Sequence, residues 1–197
     1  MRGLGGTFEI MNASIKRWSV GSPIQAPLDS LLELIKEHRF KADDVKRVVV
    51  RVAHQGANTV NNRDMPDICM QHMCAVMLLD GNVSFASSHD DKRMRERRVL
   101  ALRQKIELLG DDALSAAMPS RQGIVELELA DGRRLRHHTR AVRGTPDNAM
   151  TRAEVDAKSY DLMAPVIGRG RARKLCDAVW TLDRMDDVRR LRALLSV

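Results

Sequence analysis

Residues 123–142 have the sequence GIVELELADGRRLRHHTRAV and carry the clearest local signal in the chain. Apolar and polar residues alternate on both sides of the dipeptide Asp131-Gly132, as they do in two half-buried strands. An Asp-Gly pair between alternating runs favours the type I′ turn, because both central residues of that turn need a positive φ. We therefore predict an antiparallel β-hairpin with its turn at this dipeptide.

Two more strands are predicted upstream of the hairpin. The valine-rich segment DDVKRVVVRVAH, residues 43–54, predicts a strand from Val45 to Ala53 with at least one buried face. A short strand is predicted near residues 106–109. Between the two strands, the polar stretch from His54 to Asp64 holds three asparagines and one glycine, a composition typical of a loop.

Two segments predict the helices that pack on these strands. APLDSLLELIKEHRF, residues 26–40, has leucines and an isoleucine at helical spacing, with Pro27 suited to the first turn. PDICMQHMCAVMLLDG, residues 66–81, is apolar nearly all round and closes at Gly81, the residue type that commonly follows a helix. We expect this second helix to be the most buried one.

Further helices are predicted in the charged and C-terminal segments. Residues 87–109 are expected to be partly helical, with Ser88 as a cap. The packing face of this segment is predicted to comprise Val99, Leu100, Leu102 and Ile106. Thr151 and Glu154 have the spacing of a capping box and predict a helix that runs toward Ala164. Two helical pieces, residues 169–182 and 186–195, complete the chain.

The order of these elements predicts the fold class. Helix, strand, two helices, strand, hairpin and further helices suit an α+β fold. We expect a two-layer sandwich with a mixed or antiparallel sheet, helices packed on one face, and additional C-terminal helices. Residues 1–14 are glycine-rich and then mildly apolar, so we assign them to an N-terminal arm and residues 15–197 to one domain.

The chain is basic, with a net charge of +7 over 197 residues. The basic clusters at 93–98, 133–140 and 169–174 are mixed with acids or lie on predicted element faces, which is typical of solvated surface. No helix-turn-helix, zinc pattern or aromatic stacking platform is present, so nucleic acid is not the expected partner. A positive field suits an enzyme whose substrates are small polycarboxylates.

Cysteine usage and hydropathy indicate the compartment. Cys69, Cys74 and Cys176 match neither a disulfide framework nor a zinc site, so we expect no metal and a reducing cytoplasm. The sequence has no run of about 18 apolar residues and no export signal, which predicts the absence of a membrane span.

Two side chains are candidates for chemistry, because the sequence has no self-contained catalytic motif. Lys16 lies in the irregular segment IKRWSVGSPIQ, residues 15–25, where a cation can hold a substrate carboxylate. An ordinary surface lysine fits that pattern as well. His72 lies mid-helix among apolar residues, so its ring faces either the core or a pocket wall, where it can carry a proton near neutral pH.

Six stretches together resemble the C-terminal portion of the MmgE/PrpD family. In family order, they are KRWSVGSPIQAPLDSLLEL (16–34), ADDVKRVVVRV (42–52), MPDICMQHMCAVMLLDG (65–81), LALRQKIEL (100–108), IVELELADGRRL (124–135) and RGTPDNAMTRAEVDAKSYDLMAPVIG (143–168). The family includes 2-methylcitrate dehydratase. The resemblance implies cofactor-independent proton abstraction next to a carboxylate, with loss of water or carbon dioxide, or epimerisation.

The resemblance also implies a division of labour. Family members are longer, with a preceding helical domain that holds most of the catalytic residues, so the resemblance implies that this chain begins near the end of that domain. We predict a lid domain of a 2-methylcitrate dehydratase-like lyase or isomerase that needs a separate helical domain for activity and forms a homodimer. The alternative prediction is a catalytically inactive binding or structural module.

Site residues are implied by the same resemblance. Lys16 matches a family lysine in the active-site cleft, and His72 falls where relatives often carry a tyrosine, so both are predicted to be catalytic. Arg17, Ser22 and Gln25 lie in the stretch around the lysine and are predicted to bind the substrate. Relatives can carry histidines in this stretch, which leaves the identity of the substrate open. No cofactor is expected.

Overall fold

The computed structural model describes residues 5, 6 and 8–196, in two compact units that divide between Ala149 and Met150. The first unit holds a four-stranded sheet with its helices, and the described part of the second is helical. The strands are β1 (Val45–Ala53), β2 (Ile106–Asp111), β3 (Gly123–Leu129) and β4 (Arg134–Thr139). The α-helices are α1 (Gln25–His38), α2 (His54–Val60), α3 (Met70–Asp80), α4 (Phe85–Ser88), α5 (Arg97–Arg103), α6 (Asp112–Ala116), α7 (Arg152–Ile167), α8 (Arg169–Trp180) and α9 (Arg192–Leu195).

The sheet is mixed, with strand order β2-β1-β3-β4. β1 and β2 are parallel, and Val48 is paired with Ile106. β3 is antiparallel to both of its neighbours. Parallel neighbours need a long crossover connection, and here that connection contains the helices from α2 to α5. The predicted strands and the hairpin are therefore confirmed.

The hydrophobic core lies between one face of the sheet and the helices α1 and α3. Alternate residues of β1 and β3 point into it, among them Val48, Val50, Val125 and Leu127. On the helical side, every residue of α3 from 70 to 78 is buried, as expected for the most buried helix. These two layers confirm the predicted α+β fold, and burial of their apolar faces is its main stabilising term.

The opposite face of the sheet carries charged side chains in alternating sign. Arg51 and Arg136 both contact Glu126, at 3.5 and 3.4 Å between nitrogen and oxygen. Lys46 on β1 contacts Glu128 on β3 at 2.6 Å. Opposite charges on neighbouring strands stabilise a solvated sheet face modestly, so this side needs no helical cover.

Three local predictions are wrong. The stretch after β1 is not a loop up to Asp64, because residues 54–60 form α2, where burial of Ala57 and Val60 outweighs the weak helix propensity of asparagine and glycine. Ser88 ends α4 instead of capping a helix, and Ser84 is the N-cap. Leu100 is 40% exposed, although the other three residues of its predicted packing face are buried.

The hairpin turn also differs in type. In this described turn the positive φ belongs to Gly132 alone, at +88°, so the turn is not type I′. The N–H of Gly132 donates to the carbonyl of Leu129 at 3.0 Å, and the N–H of Leu129 donates to Arg133 at 2.9 Å. This is a three-residue connection in which glycine takes the left-handed position.

The second unit contains α7, α8 and α9. The predicted capping box is confirmed, because Thr151 accepts from the N–H of Glu154 and Glu154 accepts from the N–H of Thr151. α7 continues past Ala164 to Ile167, and α8 follows after Gly168. No described residue of α7 is buried, and α8 buries three, namely Ala172, Leu175 and Cys176.

Of the predicted N-terminal arm, the structure describes Gly5, Gly6 and residues 8–14. Residues 9–12 form a short 3-10 helix, and Phe8, Ile10 and Met11 are exposed. The domain boundary after residue 14 stays a prediction. None of the described helices is both long and apolar enough to cross a membrane.

Candidate functional site

A cavity of about 660 Å³ opens in the first unit, a volume typical of small-molecule sites. Its lining comes from residues 12–25, from the segment before β3, and from the segment after β4. The charged side chains that line it are Lys16, Arg121, Arg140, Arg143 and Asp147. Four cations against one carboxylate make this cavity suitable for an anion.

The segment after β4 forms a hydrogen-bonded wall of this cavity. Gly144 has φ +97°, and its N–H donates to the carbonyl of Asn148 at 2.8 Å. The side-chain amide of Asn148 donates to Ala141 at 2.9 Å and accepts from the guanidinium of Arg143 at 2.7 Å. These hydrogen bonds within the loop stabilise its conformation.

Lys16 lines the cavity, as its predicted role requires. The N–H of Ile15 donates to the carbonyl of Gly144 at 2.7 Å, which fastens the lysine segment to the wall. The ammonium of Lys16 donates to the carbonyl of Val20 at 3.2 Å. An ammonium carries a full positive charge and N–H donors, which are the features that bind a substrate carboxylate.

Ser22 and Gln25 also line the cavity. The side-chain amide of Gln25 is buried and forms hydrogen bonds with backbone groups of the turn before α1. It donates to the carbonyls of Trp18 and Val20 and accepts from the N–H of Trp18. These three bonds use most of the amide's hydrogen-bonding capacity, so the geometry gives Gln25 a role in positioning the lysine segment.

Arg17 lies next to Lys16 but is not part of the lining. Its guanidinium contacts Asp29 on α1 at 3.5 Å and lies 4.6 Å from the ring centre of Trp18. Asp29 also accepts from the N–H of Arg143 at 2.9 Å. Burial raises the pKa of the Asp29 carboxyl, while the Arg143 N–H and the Arg17 guanidinium act in the opposite direction. This carboxylate therefore joins the lysine segment to the loop after β4.

The structure does not bring His72 together with Lys16. The imidazole of His72 is fully buried in α3, and it does not line the cavity. Among the residues that the structure describes, neither ring nitrogen has a hydrogen-bond partner. Burial, with the positive charges of Arg103 and Arg93, lowers the pKa of His72 to about 4.

Arg121 and Arg140 are cavity residues that the sequence pattern did not identify as such. The pattern placed Arg140 in a basic cluster on a solvated face and did not single out Arg121. Arg121 lies two residues before β3, and Arg140 lies one residue after β4. Antiparallel pairing brings these two ends together, so the hairpin register is the signal that could have found them.

Comparison with known proteins gives the family. The model of the MmgE/PrpD C-terminal domain matches residues 18–184, which is most of the chain and part of both units. The chain belongs to the MmgE/PrpD family. The curated 2-methylcitrate dehydratase of Escherichia coli (strain K12) is 31% identical over an alignment of 117 residues, and the match covers 53% of this chain and 24% of that protein. This MmgE/PrpD chain thus matches about a quarter of the length of that relative.

The described part of the MmgE/PrpD domain has no group of three or more His, Cys, Asp or Glu side chains arranged to hold a metal ion. Cys69, Cys74 and Cys176 are buried free thiols. Among the described residues, the cavity lining includes no histidine, cysteine, glutamate or tyrosine, and Lys16 and Asp147 are the lining groups that can exchange a proton. The arrangement can bind and orient an anion, and it offers little for acid–base chemistry by itself.

Proposed function

We propose that this chain is the substrate-binding C-terminal domain of a cofactor-independent lyase or isomerase that acts on a small polycarboxylate such as 2-methylcitrate. Membership of the MmgE/PrpD family and similarity to a 2-methylcitrate dehydratase support the reaction class. The observation that carries the proposal is the cavity, whose lining includes three arginines and Lys16, the lysine that the sequence resemblance predicts to be catalytic.

The chemistry requires a proton to leave the carbon next to a carboxylate, which places negative charge on that carboxylate in the transition state. A fixed ammonium at Lys16 stabilises this charge more than it stabilises the ground state, which is the condition for catalysis. The residues that line the described cavity offer few acceptors for the proton. We therefore propose that a helical domain outside the 197 residues of this chain closes the site and supplies the base.

Reconstitution tests this proposal. The tagged chain is purified from its source cell with the proteins bound to it, and dehydration of 2-methylcitrate is followed by the ultraviolet absorbance of the conjugated product. We expect turnover by the complex and none by the isolated chain. Lys16→Ala should lower kcat/KM of the complex by about 100-fold, as loss of one charge-stabilising donor does. Lys92→Ala, at an exposed lysine outside the cavity, is the control.

The outcomes separate the alternatives. Turnover by the isolated chain contradicts the need for a partner, and a fully active Lys16→Ala complex contradicts the role of that lysine. The second candidate is a binding module without catalysis, which the scarcity of proton-exchanging groups in the cavity favours. Ligand binding without turnover by any complex supports that candidate.

A further inference from the structure

We propose that a second cavity, next to the one that Lys16 lines, binds an alkyl group larger than methyl on the anion that occupies the first cavity. This inference rests on the proposed function and extends it, because it assigns a site to an uncharged part of the substrate. The second cavity has a volume of about 300 Å³ and lies in the first unit.

The two cavities adjoin, because Ser22 and Arg121 line both of them. The segment before β3 forms part of the boundary, since Ser120 lines the first cavity and Gln122 lines the second. A ligand whose carboxylates lie in the first cavity can therefore extend an uncharged group into the second.

The second cavity differs from the first in charge. Among the described residues of its lining, Arg121 is the one that carries a charge, whereas the first cavity has four cations and one carboxylate. Apolar side chains make up most of the remaining lining, and they include Val52, Val60 and Ile68. This environment favours a group without charge.

Two polar side chains of this lining already have partners within the protein. The hydroxyl of Thr59 donates to the carbonyl of Gln55 at 2.8 Å. The amide oxygen of Gln122 lies 2.8 Å from Nε2 of His138. An apolar ligand group beside these two side chains leaves their hydrogen bonds in place, so it carries little desolvation cost.

Gly21 leaves open the space that a side chain would fill. Its φ of −53° and ψ of 142° are values that any residue can adopt, so the backbone does not require glycine here. A Cβ atom on Gly21 would lie 3.7 Å from Cγ1 of Val60 and 3.7 Å from Cγ2 of Ile68. The side-chain position of Gly21 therefore lies among apolar groups of the second cavity.

The volume of the second cavity indicates the size of the group. An apolar cavity of about 150 Å³ is large enough for benzene. The second cavity has about 300 Å³, which is more than one methyl group occupies. Each further methylene that leaves water strengthens binding, so an alkyl group of several carbons fits this cavity better than methyl does.

Equilibrium binding to the full chain tests the inference without any turnover. Isothermal titration calorimetry compares methylsuccinate with hexylsuccinate, which carry the same two carboxylates and differ in the alkyl group. We expect the unsubstituted chain to bind hexylsuccinate about tenfold or more tightly than methylsuccinate. Gly21→Leu should weaken hexylsuccinate binding by about tenfold and leave methylsuccinate unchanged, because the new side chain occupies the second cavity.

Gly170→Leu is the matched control. It adds the same side chain in α8, where nothing lies within 4 Å of the Cβ position, and Gly170 lines neither cavity. Both affinities should stay unchanged in this variant. Gly21→Ala is measured as well, in case Gly21→Leu fails to fold, because its methyl group makes only ordinary van der Waals contacts. It should reduce the preference for hexylsuccinate by about threefold, and circular dichroism checks the fold of each variant.

Several results would overturn the inference. These are equal affinity of the unsubstituted chain for both succinates, absence of hexylsuccinate binding, or an unchanged affinity ratio in the folded Gly21 variants. An unchanged ratio would show that the alkyl chain binds elsewhere on the surface. Failure of the proposed function is distinguishable, because it leaves the preference for hexylsuccinate intact and abolishes only turnover by the complex.

Discussion

His72 shows at the scale of one residue how burial changes a side chain's chemistry. Its ring is fully enclosed in α3, with both nitrogens unpaired among the described residues, and its pKa is lowered to about 4. A neutral buried imidazole without partners costs about 1–3 kcal/mol of the free energy of unfolding. Protonation costs more, because it places an unpaired charge in the core.

We predict that His72 makes the fold sensitive to acid. The unfolded chain binds this proton near pH 6.5 and the folded chain only near pH 4, so the free energy of unfolding falls as the pH drops through this window. The expected loss from this group is about 3 kcal/mol. His72→Leu should remove that part of the pH dependence, as measured by urea unfolding between pH 7 and pH 4.

His54→Gln is the matched control for this measurement. His54 is an exposed histidine whose ring contacts Asp112 at 2.8 Å, so its substitution should leave most of the acid sensitivity in place. Identical pH profiles for the unsubstituted chain and His72→Leu would show that another group causes the loss of stability.

The site residues also show what sequence reasoning can find. Lys16 was identified because the segment around it resembles a family pattern, and the structure places it in the cavity. Arg121 and Arg140 were not identified, because their proximity depends on the pairing of β3 with β4. The type of a residue can be read from the local sequence, whereas the residues that lie beside it across a sheet cannot.

At the scale of secondary-structure elements, the contact between β3 and α1 depends on a residue without a side chain. A Cβ atom on Gly123 would lie 2.8 Å from Cδ of Pro27. It would also lie 3.0 Å from the backbone nitrogen of Pro27 and 3.0 Å from Cβ of Ala26. Ser30 strengthens the same contact, because its hydroxyl donates to the carbonyl of Gly123 on β3 at 3.4 Å. The helix therefore approaches the sheet as closely as glycine permits.

We predict that Gly123→Ala destabilises the first unit. The added methyl group meets a proline ring and helix backbone that cannot move aside, and overpacking of this kind costs about 1–3 kcal/mol. Gly170→Ala in α8 is the contrasting substitution, because nothing lies within 4 Å of its Cβ position. It should stabilise its helix by about 0.5–1 kcal/mol. Urea unfolding of both variants measures the two effects, and equal effects would contradict the close approach.

Some elements could be predicted from local patterns and others could not. β1, the hairpin and α3 have strong periodicity or apolar runs, and the structure confirms them. α2 was predicted as a loop, because asparagine and glycine favour loops when burial is unknown. The turn at Asp131-Gly132 took another type, because strand pairing determines the connection length as much as the dipeptide does.

For the whole molecule, the two units differ in how much apolar surface each one buries. The first unit encloses a core that includes Leu28 and Leu31 of α1 and Met73 and Met77 of α3. In the second unit, α7 buries no described residue. Because buried apolar surface is the main source of the free energy of unfolding, the two units should differ in stability.

We predict that the second unit opens more readily than the first. Amide hydrogen exchange of the unsubstituted chain should show faster exchange in α7, which has 16 residues, than in α1, which has 14. The two helices are similar in length, so α1 is an internal control. Equal protection in both would indicate that the units unfold together.

The sequence by itself determined the strands and helices with strong periodicity, the α+β class and the family resemblance, because each of these depends on residues close together in the chain. Tertiary structure decided which side chains share a cavity. It placed Lys16 with Arg121 and Arg140 and enclosed His72 in the core. The physical reason is that strand register and helix packing join residues that are distant in sequence, and only those long-range contacts set the burial and the charge around each group.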